Sequence, residues 1–217
     1  MQLVVLGLNH KTVSVDIREQ FAISEESARS GLRHLDEQEG IEEAVVLSTC
    51  NRTEIYAVLK NGAARKTLYQ FFLALSGNSE AKKEYFFYFE GEACIRHLFE
   101  VASGLDSMVI GESQILNQIK TAYTMALSEK ATKTILNTLF HRAITTGKRV
   151  RTETRISYSA VSVSYAAVKL AEKILGGLDD RTAMVFGAGE AAELLVKNLM
   201  GKGLKKVIVT NRHMDKA

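Results

Sequence analysis

Residues 182–192 read TAMVFGAGEAA. The run from Thr182 to Phe186 is continuous and apolar, the pattern of a buried strand, and Gly187, Gly189 and Ala192 follow it in the spacing G-x-G-x-x-A. In such a loop the first glycine makes a tight turn and the second lets backbone approach a pyrophosphate. The small third residue lets the helix pack close to its strand. A helical stretch from Glu193 to Met200 and a strand from Val207 to Thr210 complete a β-α-β unit, with a right-handed crossover expected. Gly187, Ala188, Gly189, Glu190, Ala191 and Ala192 are therefore candidates for dinucleotide binding; the alternative is a bland turn. After the second strand an acid would hold a ribose 2′-OH, whereas a basic residue accommodates a 2′-phosphate. The sequence there is Thr210, Asn211, Arg212, with no acid, which adds Asn211 and Arg212 to the candidates and predicts NADPH as cofactor. A doubly wound sheet needs more parallel strands than these two, so the chain is expected to hold only the start of such a domain.

Upstream the pattern changes. Residues 1–60 alternate strand and helix signals: a strand at Leu3 to Leu8, a helix behind Ser24 with Glu25 and Glu26 in its first turn, and strands at 43–48 and 54–59. A polar turn, residues 49–53, joins the last two. Residues 64–75 read as helix and 85–89 (YFFYF) as strand. Beyond Gly91 the period is helical: Cys94, His97, Leu98 and Val101 share one face, and Ile135, Leu136, Leu139, Phe140, Ala143 and Ile144 form a second stripe. A helix from Tyr158 to about Leu175 is apolar over much of its surface and is expected to be buried, ending at Gly176 and Gly177. The fold class is α/β: an α+β N-terminal unit of strands and helices, then the first β-α-β of a Rossmann-type domain.

The 217 residues are 46% hydrophobic and 24% charged, which excludes disorder, collagen and a disulfide scaffold. Apolar stretches fall short of a membrane span, and the N-terminus reads as a strand, not a signal peptide. Cys50 and Cys94 are read as free thiols of a cytoplasmic protein. Proline is absent, where about 5% usage predicts roughly eleven; nothing in the composition explains it. Net charge is +3, with a local basic run of Arg142, Lys148, Arg149, Arg151 and Arg155 against Glu153. Such a run meets a phosphate backbone or is a solvated helix end.

Three groups carry candidate chemistry. Cys50 lies in the polar turn with Thr49, Asn51 and Arg52. An adjacent guanidinium favours the nucleophilic thiolate, although a plain turn residue fits as well. A nucleophilic thiol beside a nicotinamide site suggests acyl transfer to sulfur followed by hydride reduction to an aldehyde. Cys94, on a helical apolar stripe, reads as inert core. His97 is either a satisfied core histidine or a proton donor and acceptor beside the scissile ester. Asp106, Ser107, Glu112, Gln114 and Gln118, the last two at i and i+4, would suit a small zwitterion or a solvated helix start. No histidine or cysteine spacing matches a metal site, so none is expected.

Five strings, GLNHKT (7–12), STCNRTEIY (48–56), GLDSMVIGE (104–112), AVSVSYAA (160–167) and GAGE (187–190), follow one another in the order found in the glutamyl-tRNA reductase family, and the sequence resembles that family from Met1 onward. The resemblance implies NADPH-dependent reduction of glutamyl-tRNA(Glu) to glutamate-1-semialdehyde, the first step of five-carbon tetrapyrrole biosynthesis. It implies Cys50 as the nucleophile forming a glutamyl thioester and His97 as important for activity near it. Thr49, Asn51, Arg52, Ser107, Glu112, Ser113, Gln114 and Gln118 match the glutamate-holding positions, and 187–192 the NADPH loop. It also implies a catalytic domain at 1–155, a linking helix and partial NADPH domain at 156–217, a homodimer formed through a further helical domain, and glutamate-1-semialdehyde aminotransferase as partner. Ser14 and Ser113 stand where the family usually has proline, and Asn117 where glycine is common. Two other readings remain: an NADP-dependent small-molecule dehydrogenase, which leaves the Cys50 turn unexplained, and a non-catalytic tRNA-binding module built on the basic run.

Overall fold

Two β-branched runs, β2 (Ile41–Ser48) and β3 (Arg52–Leu59), pair antiparallel, with Ser48 opposite Thr53. β3 also pairs antiparallel with β1 (Gln2–Asn9), which places Asn9 opposite Arg52. The short β4 (Phe87–Glu90) closes the other side of β1, giving the order β2-β3-β1-β4. Every residue of β3 is buried, as befits a central strand covered on both faces. The computed structural model describes residues 1–112, 114–154, 156 and 163–211, in two compact units, Met1–Ser157 and Tyr158–Ala217.

Helices α1 (Val15–Gln20), α2 (Glu25–Arg33), α3 (Ala64–Leu75), α4 (Glu92–Ala102), α5 (Gln114–Ser128) and α6 (Thr134–Glu153) complete the first unit. Ser24 caps α2 as its sequence context suggests, its side chain accepting from the Ser27 N–H. α6 is capped from the sheet. The buried Glu43 carboxylate accepts from the backbone N–H groups of Lys133 (2.7 Å), Leu136 (2.9 Å) and Ile135 (3.1 Å). Those donors have no partner within the helix, and an anion suits the positive end of its dipole. All four residues of the 94–101 stripe are buried.

The structure departs from the sequence expectations in four places. The turn is only 49–51, because Arg52 and Thr53 join β3 by pairing with β1. Residues 83–85 form a 3-10 turn and the strand starts at Phe87, since Tyr85 and Phe86 turn their rings onto Phe21. α1 has no buried residue and so no apolar period to announce it. The helix expected from Tyr158 is described from Val163 as α7 (Val163–Leu175), and it is buried on one side only: Val168 is 1% exposed, whereas Leu170 is 58% and Ile174 71% exposed.

In the second unit β5 (Thr182–Phe186) pairs parallel with β6 (Lys206–Thr210) across the helix α8 (Glu190–Met200). Val168, Leu178, Leu199 and Leu204 form its core. Phe186 of β5 and Leu170 and Ile174 of α7 are exposed.

α6 crosses α4 at Gly147, where an added Cβ would lie 2.4 Å from the Ala102 carbonyl oxygen, a backbone atom with little room to retreat. Gly147→Ala is expected to cost about 1–3 kcal/mol by overpacking, more than the roughly 1 kcal/mol alanine gains in helix propensity. A urea titration should show a lower midpoint; an unchanged or higher one would contradict the close α4–α6 crossing.

Candidate active site around Cys50 and Arg52

Alternation along β3 puts Arg52, Glu54 and Tyr56 on one face. Arg52 is 1% exposed, and a guanidinium that deep must find acceptors. Its Nη1 donates to Glu54 Oε1 (2.8 Å) and Asp106 Oδ2 (3.0 Å), and its Nη2 to the Asp106 carbonyl oxygen (2.5 Å). Glu54, wholly buried, accepts the Tyr56 hydroxyl on Oε2 (2.7 Å) and shares Oε1 with His97 Nε2 (3.1 Å). A carboxylate only accepts, so that imidazole nitrogen carries the proton. The second oxygen of Asp106 pairs with the Lys11 ammonium. Lys11, Asp106, Arg52, Glu54 and His97 thus form one continuous network.

The network settles its own charges. Burial opposes ionisation of Glu54, but the Arg52 charge and the His97 and Tyr56 hydrogen bonds outweigh it and hold the carboxyl below its ordinary range. Asp106 is likewise lowered: burial opposes its charge, and the Lys11 hydrogen bond and Arg52 overcome it. Arg52 is raised, its two carboxylates outweighing desolvation. Burial, then the charge of Arg52, lowers His10, whose inaccessible Nδ1 has no hydrogen-bond partner among the described residues.

Cys50 sits exposed at the tip of the 49–51 turn. Thr49 closes that turn: its N–H donates to the Arg52 carbonyl (2.8 Å), and its Oγ1 accepts from the N–H groups of Asn51 and Arg52 (3.2 Å each). The Asn51 carbonyl accepts from the His10 N–H (3.0 Å), and the Cys50 carbonyl from Arg18 Nε (3.2 Å). The thiol is therefore free in solvent on a backbone fixed from three directions. Cys94, by contrast, is in the core, where burial and then the Glu54 charge push its thiol up to about 12.

The structure brings some candidates together and leaves others apart. Arg52 joins the Cys50 turn to the 104–111 loop through both the carboxylate and the carbonyl of Asp106. Next to Asp106, the buried Ser107 hydroxyl has no hydrogen-bond partner among the described residues. His97 reaches the turn only through Glu54 and Arg52; no hydrogen bond joins it to Cys50 among the described residues. Its ring packs on Phe87 and Phe89 and borders a cavity of about 620 Å³ also lined by Asn9, Lys11 and Asp106. Glu112 is anchored through its carbonyl by Arg151 Nη2 (3.0 Å). Gln114, exposed, and Gln118, half-buried, start α5. Ser113 lies outside the described residues. In the basic run Arg149 pairs with Glu153 and Arg151 is tied to Glu112, and Arg155 is outside the described residues.

Sequence reasoning misses Lys11 and Glu54 as members of the site, and it places Asp106 in the 106–118 candidate group without its pairing to Arg52 and Lys11. The available signal was a pair of opposite charges two apart in a strand with apolar neighbours. Among the described residues no group of three His, Cys, Asp or Glu is placed to hold a metal.

In the second unit Gly187 has φ +104°, and its N–H donates to the Thr210 carbonyl (2.7 Å). Gly189 opens α8, and a Cβ at either glycine would meet nothing within 4 Å. Open space above a bare backbone at a helix N-terminus suits a pyrophosphate. Asn211 ends the described chain and Arg212 lies outside it.

Because the folded carboxyl of Glu54 lies below its unfolded value, its contribution is complete above about pH 4.3 and lost as pH falls through the folded value. Glu54→Gln should cost about 3–5 kcal/mol at neutral pH by removing one of the two carboxylates that meet a buried guanidinium. It should also flatten the acid limb of a stability-against-pH curve measured by chemical unfolding. A variant as acid-sensitive as wild type would contradict the assignment.

Residues 6–154 match the family described as glutamyl-tRNAGlu reductase, N-terminal domain, and residues 169–217 match shikimate / quinate 5-dehydrogenase. The whole chain is 50% identical to a glutamyl-tRNA reductase of Geobacter metallireducens and 48% to one of Trichlorobacter lovleyi, covering 50% of each. Glutamyl-tRNA reductase from Methanopyrus kandleri is similar in structure, with a TM-score of 0.66 at 38% identity over 99% of this chain and 50% of that one. The chain thus spans about half the length of the relatives it matches. With the match running through β1, the Cys50 turn, the 104–111 loop and α6, the chain belongs to the glutamyl-tRNA reductase family.

Proposed function

We propose that this chain carries the acyl-transfer centre of an NADPH-dependent reduction of glutamyl-tRNA(Glu) to glutamate-1-semialdehyde, the entry to tetrapyrrole biosynthesis. The observation that carries the reading is an exposed thiol on a turn locked by a buried charge network. The Cys50 sulfur attacks the ester carbonyl, a carbon–sulfur bond forms, and the bond to the terminal ribose oxygen breaks. The thiol proton ends on that ribose hydroxyl, so glutamyl thioester and free tRNA result. His97, fixed by Glu54 with Nε2 as donor, borders a cavity also lined by Lys11 and Asp106 and is the residue assigned to proton handling.

Thr49 and Asn51 shape the turn, and Arg52 acts by holding it against the 104–111 loop. The unpartnered Ser107 hydroxyl, Glu112, Gln114 and Gln118, with Ser113 by sequence, are assigned to the glutamyl group. Gly187 to Ala192, with Asn211 and Arg212, would hold NADPH, which supplies hydride when bound; the open backbone at Gly187 and Gly189 supports that fit. The aldehyde product needs a consumer, assigned to glutamate-1-semialdehyde aminotransferase. Homodimerisation through a further domain and a cytoplasmic location belong to the same proposal; no described helix is long and apolar enough to cross a membrane.

Protein mixed with tRNA charged with radiolabelled glutamate, without NADPH, should acquire label that hydroxylamine removes. Cys50→Ser should acquire none. Equal label on both proteins, read on an acid-quenched gel, would move the nucleophile elsewhere and overturn the proposal.

A further inference from the structure

Three cations are bonded to the Cys50 turn or its supports, and they differ in how their charge is met. Arg52 is met by Glu54 and Asp106, and Lys11 by Asp106. Arg18, half-buried on α1, donates Nε to the Cys50 carbonyl (3.2 Å) and Nη1 to the Val13 carbonyl (2.9 Å). Both acceptors are neutral. Arg18 enters no ion pair among the described residues, not even with Asp16 or Glu19 of its own helix. A guanidinium whose charge is uncompensated, held on the nucleophile's own carbonyl, is prepared for an anion that arrives with the substrate.

The substrate chemistry of the preceding section, on which this inference rests, brings such an anion. An ester on the terminal ribose of an RNA carries the phosphodiester of that same nucleotide, and placing the ester carbon at Cys50 brings that phosphate to the turn. A free glutamate ester brings none. We propose that Arg18 binds the terminal phosphodiester of the acylated RNA and so selects an RNA-borne ester over a free one.

The test is acylation of the protein without NADPH, using two donors, radiolabelled glutamyl-tRNA and a radiolabelled small alkyl ester of glutamate, in wild type, Arg18→Gln and Arg18→Lys. Glutamine still donates to the Cys50 carbonyl but carries no charge. Arg18→Gln should shift the ratio of the two efficiencies about tenfold toward the small ester, through KM for glutamyl-tRNA. The logarithmic salt slope of the tRNA reaction should fall by about 0.7–0.9. Arg18→Lys should restore the slope. Equal losses on both donors would mean that Arg18 only holds the turn, and no change on either would give it no role; both results overturn the inference while acyl transfer stands. A wild type acylated by neither donor would overturn the acyl-transfer reading, and this inference with it.

Discussion

A guanidinium in the middle of a β-sheet is the constraint on which this molecule turns. Arg52 cannot shed its charge, and at 1% exposure it has no water to share it with. Glu54 two residues along the same strand and Asp106 from a distant loop must therefore both arrive for the strand to be buried at all. Buried ion pairs of this kind are poor contributors to net stability, because desolvation offsets most of their attraction. What they supply is geometry: three hydrogen bonds from the guanidinium to Glu54 and to the carboxylate and carbonyl of Asp106 fix the 104–111 loop against the strand that follows the Cys50 turn.

That division of labour explains why the reactive end of the site is exposed and simple. In the proposed reaction the thiol carries the chemistry and needs access, while precision is built underneath it. Thr49 shapes the turn, His10 just after β1 holds it, and α1 grips it through Arg18. His97 is placed by the same network from the other side, through Glu54 and the aromatic rings of β4. A cavity bordered by Lys11, Asp106 and His97 opens beside it. The dinucleotide loop is built separately, from a parallel strand pair and glycines that leave backbone bare.

How much of this the sequence disclosed follows from where each residue spends its side chain. Strands β2 and β3, helix α3 and the 94–101 stripe are legible because burial imposes a period, and the β5–α8–β6 unit because its glycines mark the turn. α1 is invisible because nothing on it is buried, and the start of β4 is misplaced because Tyr85 and Phe86 pack as turn residues with strand-like chemistry. The Cys50 turn and His97 stand out by residue type. Lys11 and Glu54 do not, since a charge in a strand or loop ordinarily signals solvent, and Asp106 stands out only as part of the 106–118 group, because its partners Lys11 and Arg52 lie far away in sequence. Arg52 was read as a residue beside a thiol; its burial shows it as the support beneath one.

The central claim is that Glu54, Arg52 and Asp106 act as one unit that positions Cys50. It is tested most directly by a double-mutant cycle on Glu54→Gln and Asp106→Asn. Unfolding free energy and the rate of Cys50 acylation by glutamyl-tRNA would be read on the same four proteins. The account predicts a coupling energy above about 1 kcal/mol and a double variant acylated no more slowly than the worse single one. Additive effects on both readouts would contradict it, leaving two independent buried carboxylates in place of a single support.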